Sequence, residues 1–190
     1  MSITNEGVYN LSTESNETRK EIDIRGRLMM FACDIEYCLL NIISFCSPDP
    51  YNHERAGQFH SMRMKNKIDN AICDIKRHNL SYYYEFEQAF NDLDRFREVR
   101  NDMAHFKGDF QNGDLSKFKV LFVDKDLATG IEGIKARIYP EEIIISLYNL
   151  FAVTNSRLSS LWMRLKQEFD EKHPLAFPSP PHNVPPNNLL

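Results

Sequence analysis

RKEIDIRGRLMMFACDIEYCLLNIISFC, residues 19–46, carries apolar side chains at Ile24, Leu28, Phe31, Ile35, Leu39 and Ile42. Steps of three and four residues sustained over several turns predict a helix with one buried face. Met30, Cys33, Tyr37, Leu40 and Ile43 widen the stripe, which places this helix at the centre of a core. Pro48 and Pro50 in Ser47-Pro48-Asp49-Pro50 stop it.

Working outward, residues 1 to 17 are polar and aperiodic and read as a flexible arm. On the other side, a polar connection from Tyr51 to His60 leads to Met64, Ile68, Ile72 and Ile75, the stripe of a second helix that stops near Asn79. A third helix is expected from about Tyr82 to Lys107, on Phe86, Phe90, Leu93, Phe96 and Met103, with Gly108 suited to a C-cap. The period then changes. Phe118, Val120 and Phe122 alternate with Lys117, Lys119 and Leu121, and Ile134, Ala136 and Ile138 with Lys135 and Arg137, across a turn-rich Asp124 to Gly130. This predicts a β-hairpin. Pro140-Glu141-Glu142 opens a last long helix, with Ile144, Leu147, Phe151, Thr154, Leu158, Leu161, Leu165 and Phe169 on one face and Trp162 beside it. The expected fold is all-α, an up-and-down four-helix bundle with a small β-hairpin inserted before the last helix. Residues 18–171 form the helical domain, and 172–190 a Pro-rich disordered tail.

Composition limits function. A chain of 190 residues, 42% hydrophobic and 12% aromatic, suits one globular domain with a full core. No run approaches the roughly 18 apolar residues of a membrane span, and the start Met-Ser-Ile-Thr-Asn-Glu lacks the features of a leader, so the expected location is the cytoplasm, with no membrane partner. Cys33, Cys38, Cys46 and Cys73 show no Cys-x-x-Cys spacing and read as reduced core residues. A net charge of −4 argues against a general nucleic-acid coat protein, because sequence-independent binding needs many cationic phosphate contacts, and any RNA contact is expected to be local. The most cationic stretch is His53 to His78, with Arg55, Arg63, Lys65, Lys67, Lys76 and Arg77.

Chemistry concentrates at the end of the third helix, in Phe96-Arg97-Glu98-Val99-Arg100-Asn101-Asp102-Met103-Ala104-His105-Phe106. Arg100 falls seven residues after Leu93, where the stripe ordinarily continues with an apolar side chain. A guanidinium there must find an anion or acceptors. Asn101 and His105, four apart, share a face, whereas Arg100 lies about 140° around the helix from His105 and must reach it with its long side chain or through a loosened turn. The imidazole can move a proton, the guanidinium can hold a phosphate, and the amide can orient either. Arg97, Lys67 and Arg27 are the candidate substrate contacts, although solvated positions are the commoner role for such charges, Arg95 included. His53 and His60 lack the further ligands a metal site needs. Tyr82-Tyr83-Tyr84 suits a core cluster better than a base-stacking platform.

Arg100-Asn101-x3-His105 resembles the Arg-x4-6-His motif of the HEPN superfamily (higher eukaryotes and prokaryotes nucleotide-binding domains), and the order of the helices is similar over roughly residues 19 to 170. The resemblance implies a helical bundle that pairs as a homodimer with two motifs facing each other, and a metal-independent endoribonuclease needing no cofactor. It further implies RNA as substrate, Arg100, Asn101 and His105 as catalytic residues, a toxin or defence role, and an antitoxin or regulatory protein as partner. The competing expectation is a non-catalytic dimerisation or partner-binding module, with Arg100 paired to Asp34 or Glu36 of the first helix and His105 at the negative end of the helix dipole. A nucleotide-binding role lacks a Gly-rich phosphate loop.

Overall fold

The structure, a computed structural model, describes residues 15–105, 107–125 and 132–174. Along them run α1 (Asn16–Phe45), α2 (His53–Ser61), α3 (Met64–His78), α4 (Leu80–His105), β1 (Lys107–Gln111), β2 (Asp114–Lys125), β3 (Glu132–Pro140) and α5 (Glu141–Lys172). The chain is mostly helical with a small antiparallel sheet. The expected arm up to residue 14, and the Pro-rich tail from residue 175, lie outside the described residues.

The α1 stripe is the centre of the core. Ile35, Leu39 and Ile42 are fully buried, and removing each such side chain from water contributes about 1.5–3 kcal/mol. The helix starts at Asn16 rather than Arg19, because the Ser15 hydroxyl accepts from the Thr18 amide (3.2 Å) and caps it. By length and composition α1 is apolar enough to cross a membrane, contrary to expectation. Here it packs against α3, α4 and α5, and α4 in turn packs against α3 and α5. Met30 and Tyr37 do not widen the buried stripe: both are more than half exposed. Cys33 and Cys73 are exposed too, so only Cys38 and Cys46 behave as core thiols.

Tyr51 to His60 is not a plain connection, since α2 occupies most of it. Asn52 caps this helix through its side-chain oxygen, which accepts from the Arg55 amide (2.9 Å), and His53 and His60 are both helical. Phe59 is the only buried residue of α2, and one anchor leaves no period to detect. In α3 the buried face runs Met64, Lys67, Ile68, Ala71 and Ile75. In α5 the expected stripe is buried from Ile144 to Leu165, with Trp162 and Phe169 partly covered.

The expected β-hairpin, β2 with β3, makes up two strands of a three-stranded antiparallel sheet of order β1-β2-β3. Gly108 is not a helix cap. It lies in β1, opposite Val120, where a Cβ would stand 2.6 Å from the Phe118 ring. The turn from β1 to β2 is Asn112-Gly113, with φ of 56° and 75°, the left-handed pair that a two-residue hairpin demands. Buried Phe110, Phe118, Val120 and Tyr139 turn inward. The Arg25 guanidinium of α1 sits 5.7 Å from the centre of the Phe118 ring and donates to the Met103 carbonyl, joining the sheet to α1 and to the end of α4.

Candidate functional site

The last turns of α4 carry the motif, and α4 stays helical through His105. No loosened turn is needed, because the length of the Arg100 side chain is sufficient. Its Nη1 lies 3.5 Å from His105 Nε2 and 3.4 Å from Asn101 Oδ1. Guanidinium only donates, so this contact is a hydrogen bond in the tautomer whose Nε2 carries the lone pair, and in that tautomer Nε2 is the atom that accepts a proton. His105 is exposed, while Arg100 and Asn101 are half-buried.

Arg100 meets its anion on α1. Its Nη2 lies 3.8 Å from Glu36 Oε1, and the other carboxylate oxygen of Glu36 accepts from Lys67 Nζ of α3 at 2.5 Å. Lys67 is not a solvated charge: its side chain is 6% exposed, with Nζ 4.8 Å from the centre of the Phe59 ring. An ammonium that deeply buried requires a counter-charge, which Glu36 supplies. The Arg97 Nε lies 3.5 Å from Asp94 Oδ1, one turn earlier on α4. The Nε atoms of Arg97 and Arg100 are both buried without a hydrogen-bond partner.

These groups line one groove of about 640 Å³ between α1, the start of α3 and the end of α4. Five cationic side chains, Arg63, Lys65, Lys67, Arg97 and Arg100, border it against the single carboxylate of Glu36. In a chain of net charge −4 this is a local concentration of positive potential. The groove therefore brings together Arg100, Asn101, His105, Arg97 and Lys67. It does not include Arg27, which pairs with Asp23 (2.9 Å) and lies 5.9 Å from the centre of the Tyr148 ring. Arg27 precedes Glu36 by nine residues, half a turn out of phase on the same helix. The Tyr82 hydroxyl donates to Glu168, Tyr83 stacks on Phe90 at 5.9 Å, and Tyr84 is exposed, none of them lining the groove.

Sequence pattern missed the anchoring of the motif. Asp102, 5% exposed, accepts from the Tyr139 hydroxyl (2.5 Å) and from Arg137 Nη1 (2.7 Å), both on β3. Burial first, and then the Asp102 hydrogen bond, hold the Tyr139 phenol well above its ordinary value. An acid three residues after Val99, on the core face, is the signal the sequence carries for this anchor. Arg63 and Lys65 were visible only as part of a cationic run. Among the described residues no three His, Cys, Asp or Glu side chains converge to hold a metal ion. No protein-family model matches the chain, and neither a curated protein nor a solved structure matches it.

Proposed function

We propose that the protein is a HEPN-type endoribonuclease, with α1, α3, α4 and α5 as its four-helix bundle and the groove at the end of α4 as its active site. The carrying observation is that Arg100 reaches both His105 and Asn101 at the mouth of a cationic groove whose only carboxylate is already shared with a buried lysine. A phosphodiester is the anion such a groove suits, since its oxygens accept charge-assisted hydrogen bonds from a guanidinium in fork geometry.

The chemistry follows from the groups present. His105 takes the proton of an RNA 2′-hydroxyl, whose oxygen attacks the neighbouring phosphorus. The P–O5′ bond breaks, and the leaving 5′-oxygen takes a proton from an imidazolium, supplied in a dimer by His105 of the partner subunit. Arg100 holds the non-bridging oxygens as their charge rises, and Asn101 orients the guanidinium. The products are a 2′,3′-cyclic phosphate and a 5′-hydroxyl. The resemblance extends this reading to a cytoplasmic toxin or defence protein restrained by a protein partner.

The deciding experiment incubates purified wild type and His105→Ala with labelled mixed-sequence RNA in EDTA and identifies the product ends. Cleavage by wild type, lower by about 10²–10⁴-fold in the variant with fold intact, is the expected result. Equal cleavage by both proteins would overturn the reading. A second reading, a non-catalytic partner-binding module, draws support from the Arg100–Glu36 ion pair, which a purely structural arginine would also make. It requires that neither protein cleave and that Arg100→Ala lower stability alone.

A further inference from the structure

The Lys67–Glu36–Arg100 chain of charges contains an asymmetry. Glu36 faces two cations but bonds only one of them closely: Lys67 at 2.5 Å, Arg100 at 3.8 Å. The closer partner is the buried one, since an ammonium with 6% exposure has little water to fall back on. Phe59 flanks it at 4.8 Å. Arg100, by contrast, makes only long contacts at 3.4 to 3.8 Å, and its buried Nε has no hydrogen-bond partner. A guanidinium has five donors and binds a carboxylate best as a two-pronged fork. One Glu36 oxygen, Oε2, accepts from Lys67, and the other, Oε1, faces Arg100 Nη2 at 3.8 Å, so the carboxylate does not make that fork with Arg100.

We propose that Lys67 is a positioning residue that keeps Arg100 open to a phosphate by occupying the rival carboxylate of Glu36. This rests on the groove being a phosphate site, as argued above. Without the lysine, Glu36 closes on Arg100 as a bidentate pair, and an incoming phosphate must displace an internal anion before it can bind. The role of Lys67 is thus indirect, which separates it from the direct substrate contact its charge suggests in sequence.

The test titrates inorganic phosphate into the full chain and follows the Arg100 Nε–H signal by NMR, in wild type, Lys67→Met, and Glu36→Gln combined with Lys67→Met. Methionine keeps the volume of the lysine stem, and the double variant leaves no unpaired buried charge. The expected result is phosphate binding at Arg100 in wild type, weakened by about tenfold in Lys67→Met, the worth of one charge-assisted hydrogen bond. In the double variant the affinity returns to the wild-type value or better, the non-additivity expected of coupled neighbours. Unchanged affinity in Lys67→Met overturns the proposal, as does the absence of a phosphate shift at Arg100 in wild type. So does equal weakening in the double variant, because Lys67 would then touch the anion itself. Should Lys67→Met fail to fold, the double variant decides alone: affinity clearly below wild type overturns the proposal, and affinity at or above it supports it. A wild type that binds phosphate at Arg100 yet never cleaves RNA would end the nuclease reading and leave this one standing.

Discussion

Thr154 is wholly buried on α5, in line with Ile144, Leu147, Phe151 and Leu158, and its hydroxyl has no hydrogen-bond partner. A buried hydroxyl without a partner costs its desolvation and returns nothing, so an apolar isostere fits better. Thr154→Val is expected to raise unfolding free energy by about 1 kcal/mol, read from the urea midpoint at constant m-value. A loss of stability would show that the hydroxyl is satisfied. Lys67 is the opposite case. It too lies on a buried stripe, but its charge is met by Glu36, so removing Glu36 alone leaves a buried cation exposed to the full penalty.

At the scale of elements, the joint between α4 and β3 decides how firmly the motif is held. Asp102 sits one residue after Asn101 and accepts two hydrogen bonds from β3. Asp102→Asn removes the charge from both bonds and is expected to cost about 2 kcal/mol. Amide exchange should accelerate in β3 and in the last turn of α4 before it does in α1; uniform acceleration would show that the joint is not a local fastener. The helices α1, α3, α4 and α5 were legible because each repeats buried apolar residues over several turns. Helix α2 was not, having Phe59 alone, and neither was β1, five residues with only Gly108 and Phe110 turned inward. The Asn112-Gly113 pair was a hairpin signal in plain view, masked by the assignment of Gly108 as a helix cap. The proximity of Arg100, Asn101 and His105 at one helix end follows from their spacing, and Glu36 is one of the two acids of α1 expected to pair with Arg100. What a single helix pattern cannot contain is which faces of different helices meet. Arg27 matches Arg97 and Lys67 in charge alone, because it lies on another side of α1 from Glu36 and the groove.

For the whole molecule, the clearest pH dependence lies on the alkaline side. Burial raises the Tyr139 and Tyr148 phenols above their usual value and pushes the Cys46 thiol up to about 12. Each group is neutral when protonated, and the fold favours that form. The stability it contributes is therefore fully present below the unfolded-state values, about 8.5 for a thiol and 10 for a phenol, and is lost as pH rises through them toward the folded values. Urea midpoints should fall progressively from about pH 8.5 upward, and Tyr139→Phe should make the decline above about pH 10 shallower. A decline identical in the variant would place the effect elsewhere. The Asp102–Tyr139 bond has a last consequence, for descent rather than chemistry. Because the carboxylate inside the motif is answered by a guanidinium 35 and a hydroxyl 37 residues further on, a change at position 102 strands two donors at once. In any lineage sharing this architecture, position 102 is expected to drift more slowly than either of its partners, each of which leaves the other in place.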